Sequence, residues 1–137
     1  LALGKLITDT GAATEIAKVI TLLPLSGGVE TMFSLTLFAT FLTEISSNTA
    51  AASIAIPVVQ SITTELGVNP VPYILTTIVA VNCAFILPVS TRAVGVTYGL
   101  SPDDLMKHGV RLSVLCMLLV SALGYVCMQF WPLFNHI

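Results

Sequence analysis

Residues 43–49 read Thr-Glu-Ile-Ser-Ser-Asn-Thr and lie between two apolar arms of similar length. Their short polar side chains compete for backbone hydrogen bonds, which favours a helix end followed by a new helix start. The arm before them, residues 29–43, would be about 22 Å long as a helix, whereas a bilayer core is about 30 Å thick. The arm after them, residues 50–64, is equally short and contains Pro57. Residues 29–66 are therefore predicted to form a re-entrant helical hairpin with Ser-Asn-Thr at its tip.

The alternative for this stretch is a single kinked transmembrane helix. Such a helix would place the Glu44 carboxylate and its polar neighbours at mid-membrane, where a charge is costly, and it would be longer than the bilayer requires. A hairpin avoids both problems, so we expect the hairpin.

The composition indicates a protein that resides in lipid. Hydrophobic residues make up 55% of the 137 residues and charged residues 9%, while soluble domains carry about 25% charged residues. We therefore expect an all-α integral membrane protein. A net charge of -2, without a cluster of Lys and Arg, argues against nucleic acid as a partner. The cysteines, Cys83, Cys116 and Cys127, lack the spacing of a zinc site or a disulfide framework.

Residues 1–28 differ from the hairpin because charges are spread among their apolar residues, at Lys5, Asp9, Glu15 and Lys18. This pattern predicts the end of a preceding helix and then an amphipathic helix at the membrane interface. The chain begins on Leu without a signal-peptide pattern, so we expect it to be part of a longer protein.

A second polar break follows the hairpin. From Val71 about twenty uncharged residues are enough to cross a bilayer. Residues 87–95 then read Leu-Pro-Val-Ser-Thr-Arg-Ala-Val-Gly, and such a stretch is tolerated at membrane depth only where protein or water surrounds it. Residues 71–100 are therefore predicted to be a broken transmembrane helix.

The rest of the chain predicts a short helix and a final span. Residues 101–104, Ser-Pro-Asp-Asp, are typical of a helix start and predict a short cytoplasmic helix over residues 101–110. Residues 112–131 are long and apolar enough to span. Lys107 and Arg111 precede that span, which favours a cytoplasmic loop and a C-terminus outside.

The hairpin tip offers two kinds of ligand side by side. The end of the first arm leaves backbone carbonyls free near residues 43–46, and these suit a small cation. The second arm begins at Asn48 or Thr49. Its free N–H groups, with the Ser47 and Thr49 hydroxyls and the Asn48 amide, suit a carboxylate. Interrupted helices with such groups are typical of transporter sites.

These motifs resemble a known family. Residues 43–49, followed by an arm containing Pro57, are similar to the second Ser-Asn-Thr hairpin of the divalent anion/sodium symporters, and residues 87–91 resemble the broken helix that faces it. The resemblance implies half of an inverted-repeat transporter for small dicarboxylates such as succinate, malate or 2-oxoglutarate. It also implies that an N-terminal half supplies the rest of the site, and that the whole protein is a homodimer in the plasma (inner) membrane.

The resemblance also implies roles for single residues. Asn48 and Thr49 would contact a substrate carboxylate. The expected sodium site consists of Thr43, Ser46, Asn48 and Ser90. Sodium would be the coupling ion, and no other cofactor is expected.

Residues 91–94 depart from the family pattern, because they read Thr-Arg-Ala-Val where the family typically has Thr-Pro-Pro-Asn. Arg92 would neutralise a substrate carboxylate or replace a sodium ion electrostatically. Both sodium symport and dicarboxylate exchange are therefore kept as hypotheses. The alternative is that Arg92 extends to the interface or pairs with an acid elsewhere. The expected substrate-binding residues are Ser47, Asn48, Thr49, Thr91 and Arg92.

Two other polar residues have alternative interpretations. Glu44 would either bind a cation or proton, or accept hydrogen bonds from nearby N–H groups at the hairpin tip. Asn82 would line the site or bond to a neighbouring helix, and we favour packing.

Two other classes of protein compete with a carrier. An intramembrane enzyme using Ser47 or Ser90 as a nucleophile would need a base nearby, and neither His108 nor His136 lies in the apolar middle. A structural membrane subunit would not need two polar breaks. We therefore expect a transporter that is not an enzyme.

Overall fold

The computed structural model describes residues 2–87, 98–99 and 101–132, and every regular element in these ranges is a helix. This confirms the all-α prediction for the described part of the chain. In chain order the helices are α1 (Ala2–Asp9), α2 (Ala12–Ile20), α3 (Val29–Ile45), α4 (Asn48–Leu66), α5 (Pro70–Ala80) and α6 (Pro102–Phe130). Among the described helices α6 is long and apolar enough to cross a membrane, and α5 is apolar but shorter.

Helices α3 and α4 form an antiparallel hairpin. Ser46 and Ser47 have extended backbones and separate the two helices. Near the tip Ala39 of α3 shares a buried cluster with Ala51 of α4. Farther from the tip a second cluster joins the two helices through Met32, Leu35, Val58, Val59 and Ile62. The helix break predicted within residues 43–49 is therefore present.

The hairpin arms are longer than the sequence suggested. Helix α3 has 17 residues and α4 has 19, which correspond to about 26 and 28 Å. Both remain just short of the bilayer core. Entry and exit on one side of the membrane stays a prediction.

Two helices, α1 and α2, lie before the hairpin. Ala13 and Ala17 of α2 are buried in the cluster that joins α3 and α4. The exposed side of α2 carries an ion pair between Lys18 and Glu15 at 2.8 Å. An apolar face on the hairpin and a charged face outward are typical of an amphipathic helix, while its place at the interface stays a prediction.

Helix α5 ends at Ala80, whereas the prediction extended it to residue 90. Just beyond its end the Thr43 hydroxyl of α3 donates to the carbonyl of Val81 at 2.6 Å. This contact joins residues far apart in sequence, so it cannot be predicted from the local sequence. Residues 88–97, which include most of the predicted second break, lie outside the described residues.

A single helix replaces the two that were predicted over residues 101–110 and 112–131. Helix α6 is continuous, and the Ser101 hydroxyl at its start accepts from the Asp104 N–H at 3.1 Å. Gly109, expected near a helix end, lies within it. A Cβ at Gly109 would stand 1.9 Å from the carbonyl oxygen of Phe85, so glycine allows two backbones to approach closely. The cytoplasmic location of residues 101–110 stays a prediction.

Candidate functional site

The hairpin tip, residues 43–49, brings together the C-terminus of α3 and the N-terminus of α4. Ser47 is the N-cap of α4, and its hydroxyl accepts from the Ala50 N–H at 3.2 Å. The N–H groups of Asn48 and Thr49 are in the first turn and have no helical partner. Ser47, Asn48 and Thr49 are all exposed. A helix N-terminus with free N–H groups is favourable for an anion.

Three oxygen atoms at the tip share one hydrogen. The Thr43 hydroxyl lies 2.6 Å from the Val81 carbonyl oxygen and 2.8 Å from Asn48 Oδ1. Both neighbours are acceptors, and a hydroxyl has a single hydrogen to donate. One short oxygen–oxygen contact is therefore left without a hydrogen. A hard cation, which is bound by oxygen ligands, would relieve this shortage.

Asn82 orients the Asn48 amide. Asn48 Nδ2 donates to Asn82 Oδ1 at 2.9 Å, and Asn82 Nδ2 donates to the Ile78 carbonyl at 2.9 Å. These bonds direct Asn48 Oδ1 towards Thr43. Asn82 therefore bonds to a neighbouring helix, as we favoured, and in doing so it becomes part of the tip. The signal in the sequence was a lone amide within an apolar stretch, shortly before the second break.

The remaining predicted residues fall into two groups. The Ser46 hydroxyl donates to the Leu42 carbonyl at 2.7 Å, so its lone pairs remain available. Thr49 makes no side-chain hydrogen bond to the described residues, which leaves its hydroxyl free for a ligand. Ser90, Thr91 and Arg92 lie outside the described residues, so their predicted positions facing the tip are not tested.

Glu44 lies next to Thr43 but faces away from the exposed tip. Its carboxylate is 5% exposed and accepts from the backbone N–H groups of residues 85–87. Glu44 therefore accepts from backbone N–H groups, as one of its two interpretations proposed, but these groups belong to the segment after α5 and not to the hairpin tip.

Two buried hydroxyls lie one helical turn from the tip. Thr40 on α3 and Thr77 on α5 have no hydrogen-bond partner for their Oγ1 atoms among the described residues. Thr40 precedes Thr43 by about one turn, and Thr77 precedes Val81 by about one turn. Unused hydrogen-bonding capacity, of donors as well as acceptors, thus continues from the tip into the contact between α3 and α5.

Comparisons with known proteins find transporters. The family model "CitMHS: Citrate transporter" matches residues 1–136. An uncharacterized transporter of Haemophilus influenzae is 30% identical over 136 residues, which cover 96% of this chain and 29% of the relative. The sodium-dependent dicarboxylate transporter SdcS of Staphylococcus saprophyticus is 31% identical over 107 residues, which cover 78% and 21%.

A eukaryotic relative is also similar. The sodium-dependent high-affinity dicarboxylate transporter 2 of Caenorhabditis elegans is 33% identical over 91 residues, covering 64% of this chain and 16% of the relative. The chain thus spans less than a third of the length of each of these three relatives. All three are named as transporters, and none as an enzyme.

Proposed function

This chain belongs to the citrate transporter family, and on that premise we propose that it carries about half of the binding site of a secondary transporter for small dicarboxylates. The members of this family are transporters, which excludes the intramembrane hydrolase. The observation that carries the proposal is the hairpin tip, where free N–H groups and a cluster of acceptor oxygens are exposed side by side. Such a pair of sites suits an anion and a cation.

The substrate carboxylate binds at the start of α4. It accepts from the free N–H groups of Asn48 and Thr49 and from the hydroxyls of Ser47 and Thr49. Thr91 and Arg92 of the second break complete the set on the facing side. An arginine there forms a charge-assisted bond with a carboxylate of a dianion such as succinate, malate or 2-oxoglutarate.

Sodium binds beside the carboxylate and couples transport. Its ligands are the oxygens of Thr43, Ser46, Asn48 and Ser90, all neutral and of the hard type that such a cation prefers. Asn48 Oδ1, 2.8 Å from the Thr43 hydroxyl, supports this assignment because it competes with the Val81 carbonyl for the single hydrogen of that hydroxyl. Two relatives are named as sodium-dependent.

The proposal extends to the whole protein. An N-terminal half with an inverted repeat supplies the other half of the site, and the protein is a homodimer in the plasma (inner) membrane with its C-terminus outside. The chain's share of its relatives, 29% and 21% of their lengths, is consistent with this arrangement.

Uptake of labelled succinate into vesicles that contain the whole transporter tests this function. A sodium symporter accumulates succinate in sodium buffer and loses uptake in choline buffer. An exchanger, favoured by Arg92, shows equal uptake in both buffers when the vesicles are preloaded with a dicarboxylate. Absence of uptake under every condition, with the protein present in the vesicles, contradicts the proposal.

The Arg92→Pro variant separates the two coupling modes. If Arg92 neutralises the substrate, the variant binds succinate about ten- to a hundredfold more weakly, because a buried hydrogen bond to a charged group is worth about 1.5 to 3 kcal/mol. Strict sodium dependence of the wild type and unchanged affinity in the variant would make Arg92 an interface anchor and the protein an ordinary symporter.

The hairpin's topology needs a test of its own. Cysteines at Val29 and Glu65, both exposed, are expected to react with a membrane-impermeant maleimide from the same side. Gly28 and Gly67 are less suitable positions: a Cβ at Gly28 would meet the Glu30 carboxylate at 2.7 Å, and Gly67 has a positive φ. Labelling of positions 29 and 65 from opposite sides would replace the re-entrant hairpin by two transmembrane spans.

A further inference from the structure

The Glu44 carboxylate has no role in the proposed binding site, yet it is among the most heavily bonded side chains described. Oε1 accepts from Phe85 N at 2.7 Å and from Ile86 N at 3.0 Å. Oε2 accepts from Ile86 N at 3.1 Å and from Leu87 N at 2.9 Å. Three successive N–H groups of a non-helical segment thus find their acceptor in one side chain of α3. A buried carboxylate is stable when such donors surround it.

Helix α6 holds the same segment from the other side. The Phe85 carbonyl lies so close to Gly109 that a Cβ there would be 1.9 Å from its oxygen. The Ser113 hydroxyl, one turn further, is buried and lies 3.3 Å from Phe85 N and 3.4 Å from Glu44 Oε1. Residues 85–87 are therefore enclosed between a carboxylate on α3 and a small-residue face on α6. We name Glu44, Gly109 and Ser113 the clamp.

The clamp is connected to the tip through adjacent residues of α3. Thr43 binds the carbonyl of Val81, where α5 ends, and Glu44 binds the N–H groups of residues 85–87. Two neighbouring side chains thus hold both ends of the segment between Val81 and Leu87. A shift of this segment would move Val81 and Asn82 relative to the tip.

We propose that Glu44 is a positioning residue, which holds residues 85–87 against α6 and so keeps Val81 and Asn82, in the same segment, at a fixed place beside the hairpin tip. The proposal rests on the proposed function in that the hairpin tip binds substrate and sodium. Glu44 touches neither substrate nor sodium. Its effect is on the geometry of the site, and hence on substrate affinity.

Native cysteines provide a direct measure of the clamp. Cys83 lies just before the held segment, and Cys116 lies on α6 about one turn beyond Ser113, whose hydroxyl contacts that segment. In a whole transporter with all other cysteines replaced, copper-phenanthroline should oxidise this pair to a disulfide rapidly. A protease site after the exposed Gly99 separates the two cysteines. Cross-linked protein then stays in one piece on a non-reducing gel.

Two variants loosen the clamp from opposite sides. Glu44→Gln keeps the side-chain volume and removes the charge, while Gly109→Ala pushes on Phe85 and leaves Glu44 intact. In each we expect slower cross-linking and a rise in the KM for succinate. In Glu44→Gln the rise should be about tenfold, the size expected when one hydrogen bond to a charged group is lost. The kcat and the amount of protein in the membrane should change much less.

Matched controls exist on the same helices. Glu65→Gln changes an exposed glutamate of α4 in the same hairpin. Gly124→Ala places a methyl group 2.5 Å from the Thr76 side chain, so it strains α6 far from the clamp. Both controls should keep the wild-type cross-linking rate and KM, even where Gly124→Ala lowers thermal stability.

The two measurements separate the possible failures. If Glu44→Gln has the cross-linking rate and the KM of the wild type, the proposal is overturned, irrespective of the result for Gly109→Ala. Slower cross-linking with an unchanged KM would show that the clamp does not position the binding site, which overturns it as well. If the wild type does not transport succinate, the proposed function fails, and an unchanged cross-linking rate in Glu44→Gln would still reject the clamp.

Discussion

The two ends of the α3–α4 hairpin are both polar, but they differ in how their hydrogen bonds are balanced. At the base, which consists of residues 26–31 and 66–73, the Glu30 carboxylate accepts from the N–H groups of Ser26 and Gly28 at 3.1 Å. The Tyr73 hydroxyl donates to the Gly27 carbonyl, and Asn69 caps α5 by accepting from Val71 N at 3.0 Å. Donors and acceptors at the base are matched.

At the tip, hydrogen-bond donors and acceptors are not matched. Thr43 faces two acceptors with one hydrogen, the first-turn N–H groups of α4 are free, and Thr49 is exposed without a partner among the described residues. The polarity of a segment therefore does not identify a site. A binding site is recognised by hydrogen-bonding capacity that the protein leaves unused.

The largest effect is expected when one asparagine is replaced by alanine at each end of the hairpin and the two variants are compared. Asn48→Ala at the tip should reduce succinate transport at least about a hundredfold, because it removes both a substrate donor and a sodium ligand. Asn69→Ala at the base removes a helix cap, which costs about 1 kcal/mol of stability, and should leave transport close to the wild type. Uptake per amount of inserted protein is the measurement.

The opposite result would reverse the comparison. If Asn48→Ala transports normally while Asn69→Ala does not, the binding site lies at the base. Equal losses in both variants would mean that each acts through folding.

A smaller effect is expected from two buried threonines of α3. Thr43→Val removes the hydroxyl shared by Val81 and Asn48, so the sodium concentration for half-maximal transport should rise about tenfold. Thr36→Val is the matched control, since its hydroxyl donates only to the Met32 carbonyl of its own helix, a bond that adds little stability. If the two variants have the same sodium concentration for half-maximal transport, Thr43 is not a ligand of the cation site.

The smallest effect is expected at the base. Gly67 ends α4 with a φ of 68°, and a Cβ there would meet nothing within 4 Å. Gly67→Ala should therefore cost about 1 to 2 kcal/mol from backbone strain alone. Thermal unfolding of the purified transporter measures this loss, and succinate KM should stay unchanged. A change in KM would show that the base takes part in binding.

Where helix ends depend on neighbouring residues, the sequence predicted them well. The break at Ser46–Ser47 and the start at Ser101 both follow from local caps. The tip residues were predictable for the same reason, since short polar side chains between two apolar arms favour a helix junction.

Where an element depends on a distant contact, the sequence was insufficient. Helix α5 stops early at a place held by Thr43 and Glu44, both far away in the chain. Gly109 suggested a helix end, but it lies within α6, where the lack of a side chain allows the Phe85 backbone to approach closely. The hydrogen bond between Asn82 and Asn48 could not be predicted either, because a single amide in the sequence does not indicate which residue it bonds to.

Most hydroxyls of the apolar helices bond to carbonyls of their own helix. Ser34, Thr36, Thr63 and Thr76 each donate to the residue four positions earlier, at 2.7 to 2.8 Å. These polar groups are already satisfied when a helix enters the bilayer on its own, so insertion does not have to wait for assembly.

The bonds at the tip are of the other kind, since Asn48–Asn82 and Glu44 with residues 85–87 join separate elements. During biogenesis these bonds, like the one between Tyr73 and Gly27 at the base, form only after the separate elements have come together.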